Sequence, residues 1–372
     1  MKPLRQLSRE SRLLWIPGVA LALGWALSLT PVFHRLEAMA LDAHLRLTAR
    51  AHYFQDALVI DIDDASLRAM QPILGGWPYP RDVYALLLDY VGEMGARTVA
   101  FDILFGDPRQ GDASLRAALA RNPSVVLAAT ANGEVAGRDG SAASLNQLAW
   151  PLPPGTPAHA WGSIHAPLSE FTQDGHARGG VVSVLADTDG VLRRIPLFHE
   201  VAGRYLPTLP LAALTARETR PTVAWDGSGA IRVGTRSLPV DAAGNYYPYY
   251  PRNANSVLSI PFSRVAAAML GLPGQALEPD LFRGKTVFVG STALSSDRVV
   301  TPVGEMNGLY VLAVMHQTMA HGLFLKPPRA SWNGLLLLLA LLPALMLLRR
   351  PDRNPLVGAG ASLAAAAGVY AL

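Results

Sequence analysis

Three apolar runs with basic flanks constrain this chain more than any other feature of it. The first, Leu13 to Leu29, is 17 residues long and follows Lys2, Arg5, Arg9 and Arg12. That length is at the lower end of the roughly 17–25 residues a spanning helix needs. By the positive-inside rule the N-terminus is cytoplasmic and the residues after the run lie outside. The second run, Trp332 to Leu348, is rich in leucine and is followed at once by Arg349, Arg350 and Arg353. Those arginines place its C-terminal end in the cytoplasm. The two assignments are independent and agree. The third run, Pro355 to Leu372, is rich in Ala, Gly and Val and returns outward from the basic turn. A weak apolar tail with no charge after it reads as the front part of a longer multi-pass protein. Ala38-Met39-Ala40 has the small-x-small form of a signal-cleavage site. It lies past His34, Arg35 and Glu37, well beyond the first run, which therefore reads as an uncleaved anchor.

The expected organisation is residues 1–12 cytoplasmic, 13–30 spanning, 31–330 one extracytoplasmic domain, 331–348 spanning, 349–354 a cytoplasmic turn and 355–372 spanning. Half of all residues are hydrophobic. The excess is local to the runs, as expected of membrane segments rather than of an unusually apolar core. The net charge of +4 is small for 372 residues and is concentrated beside the apolar runs, so it is no nucleic-acid signature. The absence of cysteine excludes disulfides, thiolate metal sites and thiol catalysis.

Between the first two runs, hydrophobic periodicity predicts an α/β fold. Leu36 to Arg50 reads as a helix. Ala57 to Asp63 reads as a buried strand ending in acids, with a short helix over Ser66 to Met70. Gly75 to Pro80 is a loop, and Asp82 to Met94 is a helix whose apolar residues recur at i, i+3, i+4 and i+7. Thr98 to Phe105 is a second buried strand. Strand, helix and strand with short connections predict a parallel pair. A helix over Asp112 to Arg121 and a strand over Ser124 to Thr130 continue the alternation. The segment from Asn132 to Pro157 shows no periodicity and reads as loop. Gly179 to Leu185 and Val191 to Pro196 flank a turn at Asp187 to Gly190 and read as a hairpin. Further helices are expected at Leu209 to Arg217, Phe262 to Leu270 and Asn307 to His321. Two short strands flank Gly234, Tyr246 to Pro251 is extended and aromatic, and Lys285 to Gly290 is a further buried strand. The sum is a mainly parallel sheet flanked by helices, with antiparallel additions and transmembrane helices.

Ligands in open α/β sheets bind beyond the C-terminal ends of the parallel strands. Three strands end in polar residues there. The first offers Asp61, Asp63 and Asp64, the second Asp102 and later Asp107, the last Ser291, Thr292 and Asp297. If those strands are neighbours, the groups converge on one cleft suited to a hard cation or a polar ligand. The competing expectation is structural. Asp63 is placed to cap the helix that follows, and Asp102, inside a strand, needs a buried partner, for which Arg81 is the candidate. Ile60-Asp-Ile-Asp63 superficially resembles the first motif of haloacid-dehalogenase-type phosphatases, where the first Asp attacks phosphorus. The acidic pair such an enzyme needs for magnesium is missing after Gly290. No nucleophile elbow, phosphate-loop motif or histidine pair with ligand spacing occurs, so no cofactor is expected.

Taken together, several segments carry a resemblance. They are Val59-Ile-Asp-Ile-Asp-Asp64, Gly76-Trp-Pro-Tyr-Pro-Arg81, Val99-Ala-Phe-Asp-Ile-Leu-Phe105, Gly284-Lys-Thr-Val-Phe-Val-Gly-Ser-Thr-Ala293 and Thr301-Pro302. They resemble the type-two CHASE domain, an extracellular sensory module of bacterial receptors, over roughly Leu36 to Pro327. The resemblance implies an input module followed by membrane helices and a cytoplasmic nucleotide cyclase, diguanylate cyclase or kinase. It also implies a homodimer responding to a small-molecule or protein stimulus. It carries over no ligand and no catalytic residue. A structural membrane subunit without a ligand is the remaining alternative class.

Overall fold

A computed structural model describes residues 30–49, 55–122, 124–133, 142–218, 221–227, 229–252, 256–293 and 297–325. The three apolar runs lie outside these residues. Among the described residues no helix is long and apolar enough to cross a membrane. The chain divides into two compact units, Met1–Thr48 with Pro327–Leu372, and Ala49–Lys326. Of the first unit the described part is a helix, α1 (Pro31–Thr48), which buries Leu45 and exposes Met39 and Leu47.

The second unit is built on a seven-stranded sheet. Its strands in chain order are β1 (Ala57–Ile62), β2 (Thr98–Leu104), β3 (Val125–Asn132), β4 (Ser163–His165), β5 (Arg178–Val181), β6 (Leu258–Pro261) and β7 (Thr286–Ser291). In space they run β6-β1-β7-β2-β3, and β4 and β5 share the far edge of β3. All neighbours are parallel except β4, which runs antiparallel to the end of β3. The sequence predicted β1 and β2 as a direct pair. Instead β7 lies between them, in register with both: Val59 and Ala100 flank Phe288.

The strands are almost continuously apolar because both faces of the sheet are covered. Ala57, Val59, Ala100, Val126 and Phe288 face α5 (Leu209–Leu214) and α7 (Gly308–Ala320) in one core. Leu58, Ile60, Ile62, Phe101, Val287 and Val289 point the other way. Their core includes residues of α2 (Asp64–Leu74), α3 (Arg81–Glu93), α4 (Asp112–Arg121) and α6 (Phe262–Met269). Small antiparallel pieces, at residues 198–207, 223–239 and 298–307, sit around the first core.

Two further expectations fail. The stretch read as loop contains a helix, Ala142–Leu148, too short for periodicity to reveal. The turn at Asp187 to Gly190 exists, closed by a Gly190 N–H to Asp187 carbonyl bond of 2.8 Å, but no hairpin forms around it. Arg193 is buried and folds back onto the turn, donating to Asp187 (3.0 Å) and Asp189 (2.7 Å). The flanks then pair elsewhere: β5 joins β3 in parallel, and Ile195–Pro196 joins Asn245–Tyr246. Tyr246 and Tyr250 are buried, as strand packing requires.

One glycine carries the layer spacing. A Cβ on Gly180 in β5 would run into the backbone of Leu209 at the start of α5. Gly180→Ala is therefore expected to cost about 1–3 kcal/mol by overpacking. Urea denaturation checks this, and an unchanged midpoint would contradict the close approach.

Candidate functional site: a cleft beyond β2, β7 and β3

The order β1-β7-β2 makes the three acid-tipped strands neighbours, the condition the sequence left open. Beyond the ends of β7, β2 and β3 lies a cleft of about 600 Å³. That volume is within the roughly 300–1,000 Å³ typical of small-molecule sites. Its floor carries Asp102, Ser291 and Asp297. Thr130, Asn132 and Trp161 come from the β3 side, Val182 to Leu185 from the chain after β5, and Gly308, Val311 and Leu312 from the first turns of α7.

Asp102 reaches the cleft for two local reasons. Between Phe101 and Leu104 the register of β2 against β3 shifts, so Asp102 and Ile103 have no partner on β3. Such a bulge re-aims a side chain at a strand end. Across from it, on the other side of β2, stands Gly290. A Cβ there would press on Leu309 and on Asp102 itself, so the glycine makes room for both.

Among the described residues, the carboxylates of Asp102 and Asp297 find no hydrogen-bond donor, and no Arg, Lys or His lines the cleft. Burial, and after it the negative charge of Asp297, push Asp102 up to about 7. Burial also raises Asp297 above the usual carboxylate range. The hydroxyls behave differently. Ser291 donates to the Ile62 carbonyl (2.9 Å), and Ser183 donates to the Ala131 carbonyl (2.9 Å) while accepting from the Ala131 N–H (2.8 Å). Trp161 is held from outside the cleft, its indole N–H donating to the buried His199 at 3.0 Å.

The other predicted site residues lie elsewhere. Asp61 accepts from Thr292 Oγ1 (2.7 Å) and from Tyr310 Oη (3.1 Å), tying β1, the turn after β7 and α7 at one carboxylate. Burial still raises Asp61, against the lowering effect of those two bonds. Asp63 caps α2 through a 2.6 Å bond from the Ser66 N–H. Arg81 is not the partner of Asp102. It lies 3.4 Å from Asp112, donates to the Asp107 carbonyl (3.3 Å) and stacks over Phe105 at 4.4 Å. Asp61 and Asp63, the pair that resembled a phosphatase motif, are thus each bound to internal donors.

The profile of the CHASE2 domain matches residues 18–348, most of the chain. This chain belongs to the CHASE2 family. CHASE2 domains are extracellular sensor domains of signalling receptors, not catalytic ones. No curated protein and no solved structure matches the chain.

Sequence reasoning found three residues of this CHASE2 cleft, Asp102, Ser291 and Asp297, and the helix at Asn307 to His321, but missed Thr130, Asn132, Trp161 and the lining role of that helix's first turns. Tyr310 was also missed, though a lone hydroxyl near the start of an apolar helix is a readable signal.

An unpaired buried carboxylate opposes folding. Because the folded-state value of Asp102 lies above its ordinary 3.8, the folded domain holds the proton more tightly. Its contribution therefore falls as pH rises from about 4 to about 7 and is flat beyond. Asp102→Asn should raise the unfolding free energy by about 2–4 kcal/mol near pH 8 and by little near pH 4. Denaturation in the two buffers measures this, and a variant less stable than the parent near pH 8 would refute it.

Proposed function

We propose that this CHASE2 chain is the input part of a membrane receptor, with the cleft beyond β2, β7 and β3 as its stimulus site. In this reading the apolar runs Leu13 to Leu29, Trp332 to Leu348 and Pro355 to Leu372 span the membrane. The N-terminus and the turn at 349–354 are cytoplasmic, and the sensor faces the outside. The stimulus is relayed to a cytoplasmic output such as a nucleotide cyclase, diguanylate cyclase or kinase, in a homodimer.

The observation that supports this reading most is the placement of α7. Its first turns line the cleft, while at its far end His321 lies 3.1 Å from Asp56, just before β1. Tyr310, in the same first turns, is bonded to Asp61 on β1. An occupant that prefers one position of α7 therefore acts at once on the two places where the domain's chain enters and leaves. Differential affinity for two arrangements is what a ligand needs to shift an equilibrium. The basic flanks of the apolar runs support the orientation. The exposed Met39 and Leu47 on α1 suit contact with a second copy.

The native chain has no cysteine, so single cysteines report cleanly. Leu47→Cys in membranes is expected to form an oxidised dimer. Adding Leu104→Trp, which fills the cleft from its exposed rim, should change the rate of that cross-linking several-fold. An identical rate with and without the tryptophan would count against the relay.

A further inference from the structure

We propose that the cleft takes a small organic cation, an amine or quaternary ammonium compound, held between Asp102 and Asp297 with Trp161 against it. The inference rests on the cleft being the stimulus site and adds the chemical class of what enters it.

Charge is the first argument. Two carboxylates face one cleft, and among the described residues no basic side chain lines it and neither carboxylate is hydrogen-bonded. Asp102 is half-buried and opens onto the cleft, and Asp297 stands exposed beside it. A buried carboxylate without a partner is costly, and a bound cation removes that cost. Anionic ligands are excluded by the same charges.

The walls then choose among cations. Leu104, Val182, Val184, Leu192, Val299 and Val311 give an apolar lining, which suits alkyl groups and not a hydrated ion. No cluster of three or more metal-ligating side chains occurs among the described residues, so a divalent ion would lack most of its shell. A neutral sugar would need many free hydroxyl and amide partners. Ser183 and Ser291 are committed to backbone carbonyls, which leaves Thr130 and Asn132. Trp161 supplies an aromatic surface of the kind that attracts ammonium groups, and its bond to His199 fixes the ring in advance.

The test is titration calorimetry on the full chain in lipid nanodiscs, with choline and putrescine as cations. The controls are 3,3-dimethylbutanol (the neutral isostere of choline), glucose and calcium. One or both cations should bind saturably. Asp102→Asn should weaken that binding at least about 30-fold, as loss of a buried charge partner does. Leu104→Trp should abolish it while the protein stays folded. Three outcomes each overturn the inference: no saturable binding of either cation, equal binding of the neutral isostere, glucose or calcium, or unchanged affinity in folded Asp102→Asn. If Leu104→Trp still alters α1 cross-linking under any of these, only the ligand class is wrong. If it does not, the stimulus-site reading falls with it.

Discussion

The structure depends on one topological fact: β7, from the end of the domain, lies between β1 and β2. Its backbone pairs on both sides, from Thr286 to Ser291 against β1 and from Thr286 to Gly290 against β2. A bond such as that from Ser291 Oγ to the Ile62 carbonyl spans 229 residues of chain. Ordering such distant partners is entropically expensive, and the apolar burial of Phe288, Val287 and Val289 on both faces offsets it. Because β7 is central, the turn after it reaches Asp61 through Thr292, and α7 is delivered onto the sheet beside β1. Entrance, exit and cleft therefore adjoin β7 or its neighbours β1 and β2, with β3 completing the cleft.

Against that well-satisfied frame, the cleft breaks the rules of a stable interior. Thr292 and Tyr310 both serve Asp61, Ser66 serves Asp63, and Arg81 has Asp112. Half-buried Asp102 has nothing comparable among the described residues, and Asp297 beside it is exposed. Sites where local consistency fails are the expected places for function, because binding can supply what folding left unmet. The β2 bulge and the glycine at 290 are what hold Asp102 in that position.

Much of this was legible in the sequence. The apolar stretches Leu58 to Ile60 in β1 and Val287 to Val289 in β7 are bounded by polar or turn residues, so the strands could be read within a residue or two. The cap by Asp63 followed from Ser66 lying three residues on. What could not be read was pairing. Nothing local distinguishes β1 against β2 from β1 against β7, since both pairings bury the same apolar residues. The turn around Asp187 formed and Arg193 clamps it, but its flanks found partners in β3 and in Asn245–Tyr246 and so made no hairpin. Arg81 looked like the partner of Asp102, yet Phe105 and Asp112 hold it. Trp161 escaped notice because its strand of three residues has no detectable period.

The proposed relay requires β1, β7 and α7 to behave as one mechanical unit. Native-state hydrogen exchange of the chain in nanodiscs tests it most directly. Amides of residues 57–62, 286–291 and 308–320 should open together, with one free energy and one denaturant dependence. A lower-energy opening of 286–320 that leaves 57–62 and 98–104 fully protected would contradict the claim.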